Sequence, residues 1–563
     1  MKNPSEEHPT AVAGAKDDVA GASLALAPVD KADQLPDLRH ALVDRRLPNA
    51  LVELHSRLTA LLDTDPNEVV RQVREISHAL PNGRNTKVLR AGLLVDGGVA
   101  SGQTDAIGEG LQLFRELYKA YPDAEVAYGL ANALVSINGA PPGGSDWLGH
   151  QERTREQRAE ARRLYWGVAR DTAVEQALRT QAWTNLASEF TNSYRLGEAH
   201  DARLAALDVD PSNGVAAGCA ARDLLWLFHQ GGCSDLTRVE AIMLAKIAKR
   251  HQDRVLEYAG RRAAEQFAAL ADELGEPPPR LPHVDPFVRW VERERLTLAP
   301  AVELVDPALG KLDWLMLPGI VDREPGARAA SPPPVFAMFN VLKADFILAR
   351  DLAWRARGGG SDWPATGRFA DTLDYATYGP QSSAHVLAHR TALDILDKVA
   401  VTANHYFNIG QPPNKVSFGR LWRQSQRKSA DSRPLDARVE TAIRGGANAL
   451  YGLLELAEDY DDEGGALHSQ KELRNAGTHR FVVLHDLADP EAGRQGPEIE
   501  HHRQGQFVEE VVRALRVARS AIQMLALAIT QHERALRQGA GGRLGTMVVP
   551  DHDWIRGRGE DVR

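Results

Sequence analysis

Between Leu473 and Phe481 the chain reads Leu-Arg-Asn-Ala-Gly-Thr-His-Arg-Phe, which places Arg474, Asn475 and His479 within six residues. These three types can break a phosphodiester without a metal. Histidine titrates near neutral pH and can pass a proton in either direction. Arginine presents a planar fork of donors that matches phosphate oxygens. An amide can orient the imidazole or bind a phosphate oxygen.

The spacing alone carries nothing. Arg-x4-His occurs three times, at Arg195–His200, Arg474–His479 and Arg480–His485, and about two are expected by chance in a chain of this composition. What separates the second is its company. Asn475 follows its arginine, whereas Leu196 and Phe481 follow the other two. On a helix Asn475 and His479, four apart, share a face, with Arg474 to one side. Gly477 between them is expected to let the backbone depart from an ideal helix.

A second candidate lies upstream in GRLWRQSQRKSADSR. Arg420, Arg423, Arg427 and Lys428 with Trp422 interleaved could hold a backbone and stack a base, so they are read as candidate RNA-binding residues. His385 and His389 are four apart, near His405, Asp394 and Asp397, but no HExxH-type partner accompanies them and no metal is expected. His485-Asp486 reads as local surface chemistry, and the acidic run Glu458 to Glu463 as a solvated loop. No Walker loop or GxGxxG is present, so no cofactor is expected.

Something must position these groups in a chain of 563 residues, too long for a single core. With 43% hydrophobic and 25% charged residues the composition is that of a globular protein, and the formal charge of −9 argues against a nucleic-acid coat. Two cysteines exclude a disulfide framework. The opening MKNPSEEHPT has neither the basic nor the apolar region of a signal peptide, and no apolar run is long enough to span a bilayer, so a cytoplasmic location away from membranes is expected.

The pattern is helical almost throughout. Residues 1–35 read as a disordered tail. Residues 36–275 read as helical repeats, most clearly from Ala182 to Asn213. That unit resembles a tetratricopeptide repeat at Trp183, Leu186, Ala187, Phe190, Ala199, Ala206, Leu207 and Pro211. Stacked pairs of this kind make a solenoid with a concave face, here expected to take a protein or peptide partner. Pro-rich clusters bracket a connector at 276–334. From 335 to 540 long amphipathic segments describe a helical bundle, and 541–563 read as a flexible tail.

With the motif set in such a bundle, residues 335–540 resemble the HEPN superfamily (higher eukaryotes and prokaryotes nucleotide-binding). Its ribonucleases carry Arg, a polar residue that is often Asn, and a His in a four- or five-helix bundle. The closest likeness is to the bacterial branch in which the bundle follows tetratricopeptide repeats, and DTLDY at Asp371 to Tyr375 fits that branch. The resemblance implies an all-α protein with Arg474, Asn475 and His479 as active-site residues, RNA as substrate, and a homodimer in which two motifs face one another. It also implies a setting in antiviral defence or toxin-like growth arrest. Some relatives carry a tyrosine two residues after the histidine, where AMP is attached. Phe481 stands there instead, and that form of neutralisation is not expected. The alternative from another class is a non-catalytic scaffold whose bundle only dimerises or binds a nucleotide.

Overall fold

Alanine and glycine at the meeting points of helices are what allow the first half of the chain to stack. The computed structural model describes residues 49–76, 83–140, 146–231, 235–277, 285–299, 313–321, 332–358, 363, 367–424, 433–487 and 497–539. Eleven of the described helices form the array. They are α1 (Asn49–Leu62), α2 (Pro66–Ile76), α3 (Arg84–Ser101), α4 (Thr104–Ala120), α5 (Ala124–Asn138), α6 (Trp147–Arg170), α7 (Gln176–Asn192), α8 (Leu196–Val209), α9 (Gly214–Gln230), α10 (Asp235–Arg250) and α11 (Gln252–Leu274). Each packs on its sequence neighbour. The unit read as a repeat spans α7 and α8. Leu186, Ala187, Ala199 and Ala206 are fully buried between them, and Phe190 nearly so. Tyr194 turns the corner in the left-handed region (φ 64°), which lets the Arg195 N–H reach back to the Phe190 carbonyl at 2.9 Å.

Among its described residues the connector holds one short helix, α12 (Pro286–Arg293), with Asp285 as its N-cap. Residues 313–321 of the connector run as irregular chain.

The second half consists of α13 (Pro334–Ala356), α14 (Pro380–Tyr406), α15 (Ala437–Arg444), α16 (Ala449–Asp461), α17 (His468–His479) and α18 (Gln504–Gly539). Phe339, Leu342, Phe346 and Ala349 on α13, and Val511, Leu515, Ala518, Ile522, Leu525 and Ile529 on α18, are buried at the helical spacing that predicted them. Each large apolar side chain so buried contributes about 1.5–3 kcal/mol. The molecule is predominantly helical, as expected. One small sheet was not foreseen: β1 (Ala376–Thr377) pairs antiparallel with β2 (Phe481–His485), which pairs in parallel with β3 (Ile499–Arg503). Among the described residues no helix is long and apolar enough to cross a membrane.

Array and bundle share one apolar core, since Trp147, Leu148, Tyr194 and Leu196 pack in the same cluster as α13, α14, α16 and α18. Beside it lies a buried ionic seam. Arg158 and Arg162 of α6 bond to Glu455 of α16, Arg162 and Arg195 meet Asp459, and Arg155 meets Glu458 at 2.9 Å. Glu152 answers from the array side, taking Arg423 at 2.8 Å and the Tyr451 hydroxyl at 2.9 Å. Burial alone would raise the pKa of Glu455, yet Arg158, Arg162 and Arg195 together hold it below the usual carboxylate value.

Candidate active site

The helix that carries the motif, α17, packs on α14 and runs straight into β2. Gly477 does not bend it. The helix continues through this position, and a Cβ there would sit 3.3 Å from Val386 Cγ1 of α14. Close approach, not backbone freedom, explains the glycine. Leu473 and Ala476 fill the buried face, which turns Asn475 and His479 outward.

His479 is exposed at the last position of α17. Asn475 lies one turn before it, half-buried, and neither side chain has a hydrogen-bond partner among the described residues. Arg474 points the other way. Its Nε donates to Asp394 Oδ1 at 2.9 Å and its Nη2 to Asp397 Oδ2 at 3.0 Å. Both acids stand on one face of α14, three residues apart. Asp397 is itself fixed by the Phe418 N–H at 2.9 Å. Nη1 of Arg474 is the nitrogen without a described partner. Partial burial is the largest single effect and works against the Arg474 charge, but the Asp394 bond together with Tyr460 and Asp397 outweighs it and holds the guanidinium above its ordinary pKa. The structure thus brings Asn475 and His479 onto one face and keeps Arg474 on an adjacent, acid-lined side.

Asp394, Asp397 and Tyr460 belong to this surroundings and were not read as part of the site. Their signal was available: two aspartates at i and i+3 on an amphipathic helix face need a cation. The Tyr460 hydroxyl is buried without a hydrogen-bond partner among the described residues, and burial pushes its pKa up.

The fold corrects the upstream basic segment at Trp422 and Arg423. Trp422 is 2% exposed and its indole N–H donates to the Phe418 carbonyl at 2.6 Å, so it has no face to offer a base. Arg423 is spent in the seam, on Glu458 at 2.7 Å and on both oxygens of Glu152. Arg420 is exposed, while Arg427 and Lys428 lie outside the described residues. The start of the acidic run is corrected too: half-buried Glu458 and buried Asp459 lie in the last turns of α16 and pair with arginines of the seam, while Asp462 and Glu463 beyond the helix are exposed.

His485 is likewise not at the surface. It is 1% exposed, its Nδ1 faces the Asp374 carbonyl at 2.9 Å and its Nε2 faces His501 Nδ1 at 2.8 Å. A carbonyl can only accept, so Nδ1 carries the proton and Nε2 offers its lone pair to the His501 N–H. With Asp374 these two form a group whose ligand atoms lie within 4.8 Å of one another, compact enough for a metal ion. The His–His and His–carbonyl bonds also account for the geometry without one. His385 and His389 are buried, and His389 Nε2 pairs with Gln470 Oε1 at 3.0 Å. Burial pushes the His389 pKa down to about 4.

Beyond the motif, Arg480 reaches Glu500 of β3 at 2.5 Å, which ties the end of α17 to the sheet. Phe481 begins β2 with its ring 70% exposed.

No curated protein matches this chain. Residues 327–532 match the family described as LA2681-like HEPN, a span that runs from before α13 into α18, holds the Arg474–His479 stretch, and marks this part of the chain as a HEPN domain.

Proposed function

We propose that the protein is a metal-independent endoribonuclease of the HEPN type, held to a repeat array that regulates it. The observation that carries this reading is an exposed, unpartnered His479 on one face with Asn475, inside a segment that matches a HEPN family. RNA supplies its own nucleophile. The ribose 2′-hydroxyl attacks the adjacent phosphorus while His479, or the same residue of a second copy, takes its proton and returns one to the leaving 5′-oxygen. Arg474, through Nη1, meets the charge that builds on the phosphorane oxygens. Asn475 positions the imidazole or the phosphate. The products are a 2′,3′-cyclic phosphate and a 5′-hydroxyl.

Two copies facing each other across α17 would bring an Arg474 and a His479 from different chains to one phosphate, which supports a homodimer as the working form. The array is read as the part that binds a protein or peptide partner, in antiviral defence or toxin-like growth arrest. A second reading is favoured by one observation: Asp394 and Asp397 already occupy Arg474. Under that reading the bundle is a scaffold that dimerises or binds a nucleotide.

The test is cleavage of single-stranded RNA in EDTA by the wild type, His479→Ala and Arg474→Ala. Loss of cleavage in both variants, with a 2′-deoxy substitution at the scissile site also blocking it, supports the nuclease. Equal cleavage by all three proteins, or a requirement for magnesium, rejects the site.

A further inference from the structure

One described cavity lies away from His479. It has a volume of about 480 Å³ and lies between the array and the bundle, walled by α6, α7 and α8 on one side and by α18 and the start of α17 on the other. That is the size of a small-molecule site. Its chemistry is uneven. Seven arginines line it against five carboxylates, and the carboxylates are largely committed. Asp459 holds Arg162 and Arg195, Glu198 holds Arg195, Asp201 holds Arg519, and Glu294 holds Arg516.

What remains is positive. Arg170 and Arg357 are exposed at the cavity and make no ion pair among the described residues. Arg513 spends one nitrogen on the Ala466 carbonyl, stands 3.6 Å from Glu510, and keeps a buried Nε with no partner. Burial, with Arg295 next, lowers the Arg516 pKa to about 10. Cations crowded together and short of anions are what an anionic ligand would relieve. The apolar side of the same cavity is aromatic. Trp166 and Trp183 meet edge to face at 5.5 Å, both half-buried, and Arg513 and Arg170 lie over Trp166 at 4.8 and 5.3 Å from its centre.

We infer that this cavity binds a nucleotide, its base against the Trp166–Trp183 corner and its phosphate on Arg170, Arg357 and Arg513. An acidic peptide would use the cations but leave the indoles idle. A neutral aromatic would do the reverse. A nucleotide uses both.

The position has a consequence for the motif. Ala466 and Leu467 line the cavity at the start of α17, and His479 ends that helix about 18 Å away at 1.5 Å per residue. Arg513 holds the Ala466 carbonyl, so a phosphate that draws Arg513 acts on the root of the motif helix. The site is separate from the proposed catalytic residues, and the inference stands whether or not His479 cleaves RNA.

The experiment is calorimetric titration of the full chain with AMP and ATP. Controls are adenosine (ring without anion), ribose 5-phosphate (anion without ring) and a short single-stranded oligoribonucleotide. We expect AMP or ATP to bind with Kd below about 100 μM, and both fragments to bind at least about tenfold more weakly. Arg170→Ala and Arg357→Ala, both exposed changes, should each weaken binding about fivefold or more, and His479→Ala should leave it unchanged. An oligoribonucleotide that binds as tightly and with the same sensitivities identifies the ligand as an RNA end. Binding by the mononucleotides alone identifies a free nucleotide. No binding at millimolar concentration, or binding indifferent to Arg170→Ala, Arg357→Ala and Trp183→Ala, overturns the inference.

Discussion

The seam between array and bundle and the outer face of α17 are both built from arginines and carboxylates, and they do opposite things with them. In the seam Arg158, Arg162 and Arg195 meet Glu455 and Asp459, and all five are almost wholly buried. Glu455 and Asp459 each answer two arginines there, and their burial keeps these charges on one another. On α17 a single arginine, about a quarter exposed, is held by two aspartates that are themselves open to solvent, and the histidine beyond them has no partner among the described residues. The lesson is that charge density does not mark chemistry. A group available for catalysis is one the fold positions and leaves partly unspent.

This contrast can be broken by mutation, and the largest effect should fall in the seam. Glu455→Ala leaves Arg158 buried without its anion and Arg162 with Asp459 alone, and breaking a buried pair in this way typically costs about 3–5 kcal/mol. Urea unfolding should show a midpoint well below the wild type. A midpoint within error of it would mean the seam is not what joins the two halves.

Acid should come next. The His389 pKa is held near 4 in the fold and lies near 6.5 in the unfolded chain. Between those values the unfolded state binds a proton that the folded state refuses. Stability is therefore full above about pH 6.5 and falls as pH drops toward 4, by at most about 1.4 kcal/mol per pH unit from this residue. Denaturation midpoints measured from pH 7.5 to 5 should fall, and His389→Gln should flatten the slope. An unchanged slope in the variant would remove His389 from the explanation.

Arg474→Ala should do little to stability, on the order of 1 kcal/mol or less, because its partners are exposed and screened. A thermal melt that drops as far as that of Glu455→Ala would move Arg474 into the structural class. Smallest of all, Phe481→Tyr replaces a ring already 70% exposed and should leave the melt within about 0.5 kcal/mol of wild type.

Much of the architecture was legible in the sequence because helices write their buried face at a fixed period. The alanines of α7 and α8 and the apolar ladder of α18 are where that period puts them. The seam was not legible, since its partners lie far apart: Arg155 and Glu458 are separated by 303 positions and no local pattern spans that. This is why Trp422 and Arg423 looked like an RNA-facing pair, and why Glu458 and Asp459 looked like a loop. Short strands leave even less trace. FVVLH is rich in strand-forming residues, but it follows a helix without a pause, and its neighbour β3 begins 18 residues after it does. At the motif, the shared face of Asn475 and His479 was legible. That Arg474 would turn inward to α14 was not, because the i, i+3 spacing of Asp394 and Asp397 asks for a cation without saying which one until the two helices meet.

The most direct test of the proposed nuclease sets rate against stability in one protein. His479→Ala removes an exposed side chain, so its melting midpoint should match the wild type while its single-turnover rate of 2′,3′-cyclic phosphate formation falls at least about 100-fold. A variant that cleaves RNA at the wild-type rate, or that loses rate only in proportion to lost folding, would contradict the account.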